Sequence, residues 1–105
     1  MTNGGPSTFE RLARDFLAQH PSIRHQWRPI RDRLWGDRLD LVLEPGSAAM
    51  PEVWASLREG QIAVGAGGSH DDFETFGRRI SDEEVAQEAF VRFVALLREH
   101  GYVAA

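Results

Sequence analysis

Two runs of alternating side chains, residues 53–58 and 61–66, stand on either side of Glu59-Gly60, and that spacing constrains the fold more than any other feature of the chain. A two-residue connection of this composition closes a β-hairpin. It sets Leu57 opposite Ile62 and Ala55 opposite Val64 on one face, and Trp54 opposite Gly65 on the other, where an indole can lie over bare backbone. Leu39, Leu41 and Leu43 repeat the period of two, alternating with Asp40, Val42 and Glu44 until Pro45-Gly46 ends the run. A further strand is expected from Ile30, folding back about Gly36-Asp37, with Leu34 facing Leu39, Arg33 facing Asp40 and Ile30 facing Leu43. Residues 22–28 read as a connector, because the helical spacing of Ile23 and Trp27 is cut short by Pro29. The expected sheet is a four-stranded antiparallel meander.

Helical periods flank it. Ser7 and Glu10 have the spacing of a capping box, after a leader of residues 1–6 expected to be flexible. Phe9, Leu12, Ala13, Phe16 and Leu17 form one apolar stripe, and Pro21 prevents continuation past His20, so the first helix is expected over residues 7–20. Near the other end Ser81 is the expected cap, Glu84 closes its box, and Ile80 is placed to staple onto Val85. Val85, Ala86, Ala89, Phe90, Phe93, Val94 and Leu97 cover about half a helix circumference, with Gly101 as the stop. The expected fold class is α+β in the order α-β-β-β-β-α, a single domain over residues 7–105. Both helices should pack on the aliphatic sheet face around Leu39, Leu41, Leu43, Leu57, Ile62, Val64, Phe16, Phe90, Phe93 and Leu97.

A chain of 105 residues builds one core, which leaves no room for a separate cofactor domain. It has no cysteine, so disulfides, thiolate metal sites and a Cys nucleophile are excluded. All 12 cationic side chains are arginine, which removes a P-loop lysine, a Schiff-base lysine and a lysine base. There is no Gly-x-Ser-x-Gly elbow, and the histidines at 20, 25, 70 and 100 bear no triad-like relation to a serine. His20 and His100 read as helix-end residues near free carbonyls. The run Gly65-Ala66-Gly67-Gly68 fails as a dinucleotide loop: position 70 is His, and Asp71 and Asp72 would repel a pyrophosphate. No catalytic residue and no cofactor is therefore expected.

The N-terminal sequence lacks a basic segment followed by an apolar one, so the expected location is cytoplasmic. The longest apolar run near the end, residues 93–97, is too short for a bilayer about 30 Å thick. Net charge is −4 and uneven. Residues 1–44 hold seven arginines against six carboxylates, about +1, whereas residues 45–105 hold five against ten, about −5. An acidic chain disfavours nucleic acid and anionic membrane as partners. Arg24, His25, Trp27, Arg28, Arg31, Arg33, Trp35 and Arg38 do have the basic, aromatic-interleaved composition that grips nucleic acid, but Asp32, Asp37 and Asp40 interrupt it.

The most polar cluster, residues 69–74, reads as a loop, and in an extended segment His70, Asp72 and Glu74 would share one face. One imidazole and two carboxylates suit a divalent metal. Asp71, Asp72 and Glu74 equally suit a basic protein partner. Trp54 and Val91 are apolar residues on faces expected outside the core, and exposed aromatics beside charged loops mark interfaces. The candidate partner-binding residues are thus Trp54, His70, Asp71, Asp72 and Glu74, with His70, Asp72 and Glu74 the alternative metal ligands.

The run Ile62-Ala63-Val64-Gly65, then Gly68-Ser69-His70-Asp71-Asp72-Phe73, then Ser81 through Phe90, resembles small bacterial immunity proteins of polymorphic toxin systems. In that family a strand leads through a Gly- and His-containing turn to an acidic-capped helix. The resemblance implies a non-catalytic protein that binds and occludes a cognate toxin; the acidic C-terminal half separately suits a basic target. The helix, sheet, helix order is also similar to frataxin, which gathers acids on its first helix; here Glu10 and Asp15 are balanced by Arg11 and Arg14. Type III secretion chaperones are similar in size and acidity. An effector-binding chaperone and a small metal-binding protein are the alternatives to the immunity reading.

Overall fold

The structure, a computed structural model, describes residues 4–34, 36–74 and 82–104, with side chains from Ser7 onward. Helix α1 (Gly4–Ala18) is followed by five strands, β1 (His25–Ile30), β2 (Arg38–Leu43), β3 (Val53–Arg58), β4 (Gln61–Ala66) and β5 (Ser69–Glu74), and then by helix α2 (Asp82–Glu99). The strands form one antiparallel meander in the order β1-β2-β3-β4-β5. The α+β class and the flanking helices match the expectation; the sheet has five strands instead of four.

One sheet face and both helices make the core. Leu41 and Leu43 of β2, Val53, Ala55 and Leu57 of β3, and Ile62 and Val64 of β4 alternate inward and are buried against Phe9, Ala13 and Leu17 of α1 and Ala86, Ala89, Phe93 and Leu97 of α2. Phe9 meets Phe93 edge to face at 5.6 Å and Phe90 at 6.2 Å, and Phe16 meets Phe90 at 6.0 Å. Leu39, Phe16 and Phe90, expected in the core, are half-buried at its margin. The hairpin about Glu59-Gly60 has the expected register: Leu57 pairs with Ile62, Ala55 with Val64 and Trp54 with Gly65.

Helix α1 starts three residues before the expected position, taking in Gly4 to Pro6 of the supposed leader. Proline is tolerated in a first turn, where its missing N–H has no partner to lose. Ser7 is therefore inside the helix and not its cap, and Glu10 instead pairs with Arg14 one turn on, at 2.7 Å. At the far end His20 Nδ1 lies 2.9 Å from the Phe16 carbonyl, the helix-end role expected of it. The expected cap Ser81 and staple residue Ile80 lie outside the described residues. The C-terminus of α2 is closed by Gly101 at φ 82°, with Tyr102 N donating to Leu97 O and Gly101 N to Arg98 O, the paired bonds of a Schellman motif.

Both differences in the sheet are at its edges. The expected strand from Ile30 is a loop, and the supposed connector is β1: Leu43 pairs with His25, five residues earlier than Ile30. An odd shift exchanges the faces. It puts Trp27 on the helix side opposite Leu41, with the Arg14 guanidinium 4.2 Å from its ring, and puts Ile30 opposite Arg38 on the other side. Pro29 is accommodated because β1 is an edge strand. Within the 31–37 connection Asp32 accepts from the Leu34 N–H at 2.9 Å, and Leu34, expected opposite Leu39, is 85% exposed. At the opposite edge the expected loop over residues 69–74 is β5, turning off β4 through Gly67-Gly68.

Candidate protein-binding surface

The helices cover only one face of the sheet. The period of two sends Arg38, Asp40 and Val42 of β2, Trp54, Ser56 and Arg58 of β3, and His70, Asp72 and Glu74 of β5 to the other. His70, Asp72 and Glu74 therefore do share a face, together with Trp54.

Trp54 is held from three sides. Its Nε1 donates to the Gly67 carbonyl at 3.1 Å, its ring lies over Gly65, and the His70 imidazole stands 5.6 Å away at 46°. The Gly65 position admits no side chain: a Cβ there would come within 2.8 Å of Trp54 Cζ2 and 2.5 Å of the Ser69 carbonyl oxygen. His70 Nε2 reaches Asp72 Oδ2 at 3.5 Å, and Glu74 accepts from Gln61 Nε2 at 3.1 Å. Glu74 is thus engaged by the neighbouring strand and does not converge with the other two. Among the described residues no three His, Asp or Glu side chains are arranged to hold a metal ion.

Asp71 is separated from the other four candidates. It is on the helix side, where its Oδ2 accepts from Arg92 Nε at 2.8 Å, and Arg92 Nη1 donates to Glu99 at 3.0 Å. The hydrogen bond to Asp71, ahead of the nearby Glu99 charge, holds the Arg92 proton more tightly than usual, against a smaller opposing effect of burial. Asp71 ties the edge strand to α2.

Across the middle of the open face runs a network that the sequence reading missed. Arg38 Nε lies 3.1 Å from both Asp40 oxygens, and Ser56 Oγ donates to Asp40 Oδ1 at 2.7 Å. Asp40 is expected opposite Arg33; the observed register sets it opposite Arg28, and its ion pair is with Arg38 two residues away on its own strand. The spacing Arg38-x-Asp40 within a strand was the available signal, since residues two apart share a face. With Val42, Trp54 and Ala63 these groups line a groove of about 440 Å³. The basic, aromatic stretch does not assemble into one surface: Trp27 faces the helices, Arg28 binds Gln26 at 2.8 Å, and Trp35 lies outside the described residues. No described helix is long and apolar enough to cross a membrane. No family model, no curated protein and no solved structure matches the chain.

Proposed function

We propose that the chain is a protein-binding module that acts by occupying its partner, through the helix-free sheet face that carries Trp54, His70, Asp72 and Glu74. The observation behind this reading is the fixed Trp54. Its indole is anchored by a hydrogen bond to Gly67 and seated on a glycine, so little side-chain entropy is lost on binding. Asp72 and Glu74 beside it, on the acidic half of the chain, favour a partner with a basic surface and speed its approach. The resemblance to immunity proteins makes a secreted bacterial toxin domain the partner class.

Affinity capture from the source cell with native and Trp54→Ala baits in parallel tests the proposal. A protein retained by the native chain and lost from the variant, then shown by calorimetry to bind one to one, is the supporting result. Its toxicity in the absence of the chain, and relief on co-expression, extends the reading to immunity. No protein distinguishing the two baits overturns it.

A further inference from the structure

Strand β5 pairs with β4 along one edge only, and among the described residues nothing pairs with the other. The two-residue turn at Gly67-Gly68 fixes which groups are left over. In such a hairpin the residues flanking the turn exchange both backbone hydrogen bonds, and the pattern alternates from there. Ser69, Asp71 and Phe73 therefore bond to Ala66, Val64 and Ile62, and the N–H and C=O groups of His70, Asp72 and Glu74 point outward.

The two sides of this edge differ. On the helix side an apolar groove of about 570 Å³ runs between Phe73 and Val91, rimmed by Glu84, Gln87 and Glu88. Val91 is 68% exposed. On the open side are Asp72 and Glu74. A strand laid along β5 alternates its side chains between the two, so one set meets Phe73 and Val91 and the other meets carboxylates.

We infer that the partner docks by strand addition to β5, contributing an extended segment in which apolar residues alternate with Lys or Arg. The inference rests on the binding-module reading and specifies its mode. Charge selects this occupant over a second copy of the chain. An antiparallel β5–β5 pair must set outward-pointing residues opposite one another, so near the middle of the strand it brings Asp72 of one copy opposite Asp72 of the other, or Asp71 opposite Asp71, and like charges facing across strands repel.

The test uses the whole chain and a blocked ten-residue peptide of alternating valine and lysine, with a valine–glutamate peptide as control. The lysine peptide should bind and slow amide hydrogen exchange at His70, Asp72 and Glu74, and the control should not bind. The double variant Asp72→Lys/Glu74→Lys should weaken binding about tenfold or more. Val91→Glu, at an exposed helix position that folding does not use, should weaken it comparably. Absence of binding, binding without protection at those three amides, or binding indifferent to both variants overturns strand addition. A dimer in sedimentation that Val91→Glu dissolves overturns it in favour of self-pairing. A captured partner that depends on Trp54 but not on Val91 or on β5 protection discards strand addition and leaves the binding module standing.

Discussion

Gly65 and Gly68 are three residues apart and should respond in opposite ways to the same substitution. At Gly65 an added Cβ meets backbone at 2.5 Å and the Trp54 ring at 2.8 Å, whereas at Gly68 it meets nothing within 4 Å. Gly65→Ala should cost about 1–3 kcal/mol by overpacking, and Gly68→Ala should stay within about 0.5 kcal/mol of native; urea denaturation measures both. Tyr102 offers a second test at this scale. Its hydroxyl donates to the Pro51 carbonyl at 2.7 Å, and burial, with a smaller push from Glu52 and against the Val53 backbone, raises its pKa above the ordinary value. The folded state therefore binds this proton more tightly than the unfolded chain does. Its contribution is complete below the unfolded pKa of about 10 and is lost as pH rises through the higher folded value. With no lysine, no cysteine and a single tyrosine, no other side chain titrates in that window. Stability should fall above pH about 10 in the native chain, and Tyr102→Phe should abolish the fall while costing about 1 kcal/mol at neutral pH.

Among the elements, α2 and the central strands carry the packing and the edges carry the polar surface. Phe93 is fully buried and touches both Phe9 and Phe90, so Phe93→Ala should destabilise by about 3–5 kcal/mol, read from the denaturant midpoint at unchanged slope. The Asp71–Arg92 tie between β5 and α2 is of another kind. Both side chains are about half exposed, and such pairs contribute at most about 1 kcal/mol. Arg92→Ala should cost no more than that, read from the urea denaturation midpoint.

For the molecule as a whole the division of faces matters more than the net charge of −4. Apolar side chains of β2, β3 and β4 are consumed by two helices on one side, which leaves the other side polar with one fixed indole. Carboxylates on that side should act mainly on encounter. The association rate with a basic partner should fall as salt shortens the Debye length from about 30 Å at 0.01 M to about 8 Å at 0.15 M. Neutralising Asp72 and Glu74 together, as Asp72→Asn and Glu74→Gln, should lower the association rate more than it raises dissociation in stopped-flow measurements. Dissociation should instead respond to Trp54→Ala, which removes buried contact.

What the sequence determined by itself was everything specified by neighbours in the chain. The period of α2, its stop at Gly101, the alternation of Leu39, Leu41 and Leu43, and the Trp54–Gly65 register follow from turn chemistry and side-chain period, which act over a few residues. His70, Asp72 and Glu74 sharing a face needed only that their segment be extended. The tertiary structure decided the two edges. His25 to Ile30 has one side chain, Trp27, placed to meet the core, and Pro29 argues against a central strand; it becomes a strand because β2 offers an unpaired edge and Arg14 covers the indole. Ser69 to Glu74 has the low strand propensity of an acidic loop, and becomes a strand because β4 is unpaired on that side, Phe73 reaches the core margin and Arg92 of α2 meets Asp71. An edge strand buries little of itself, so its own residues carry little of the information that places it.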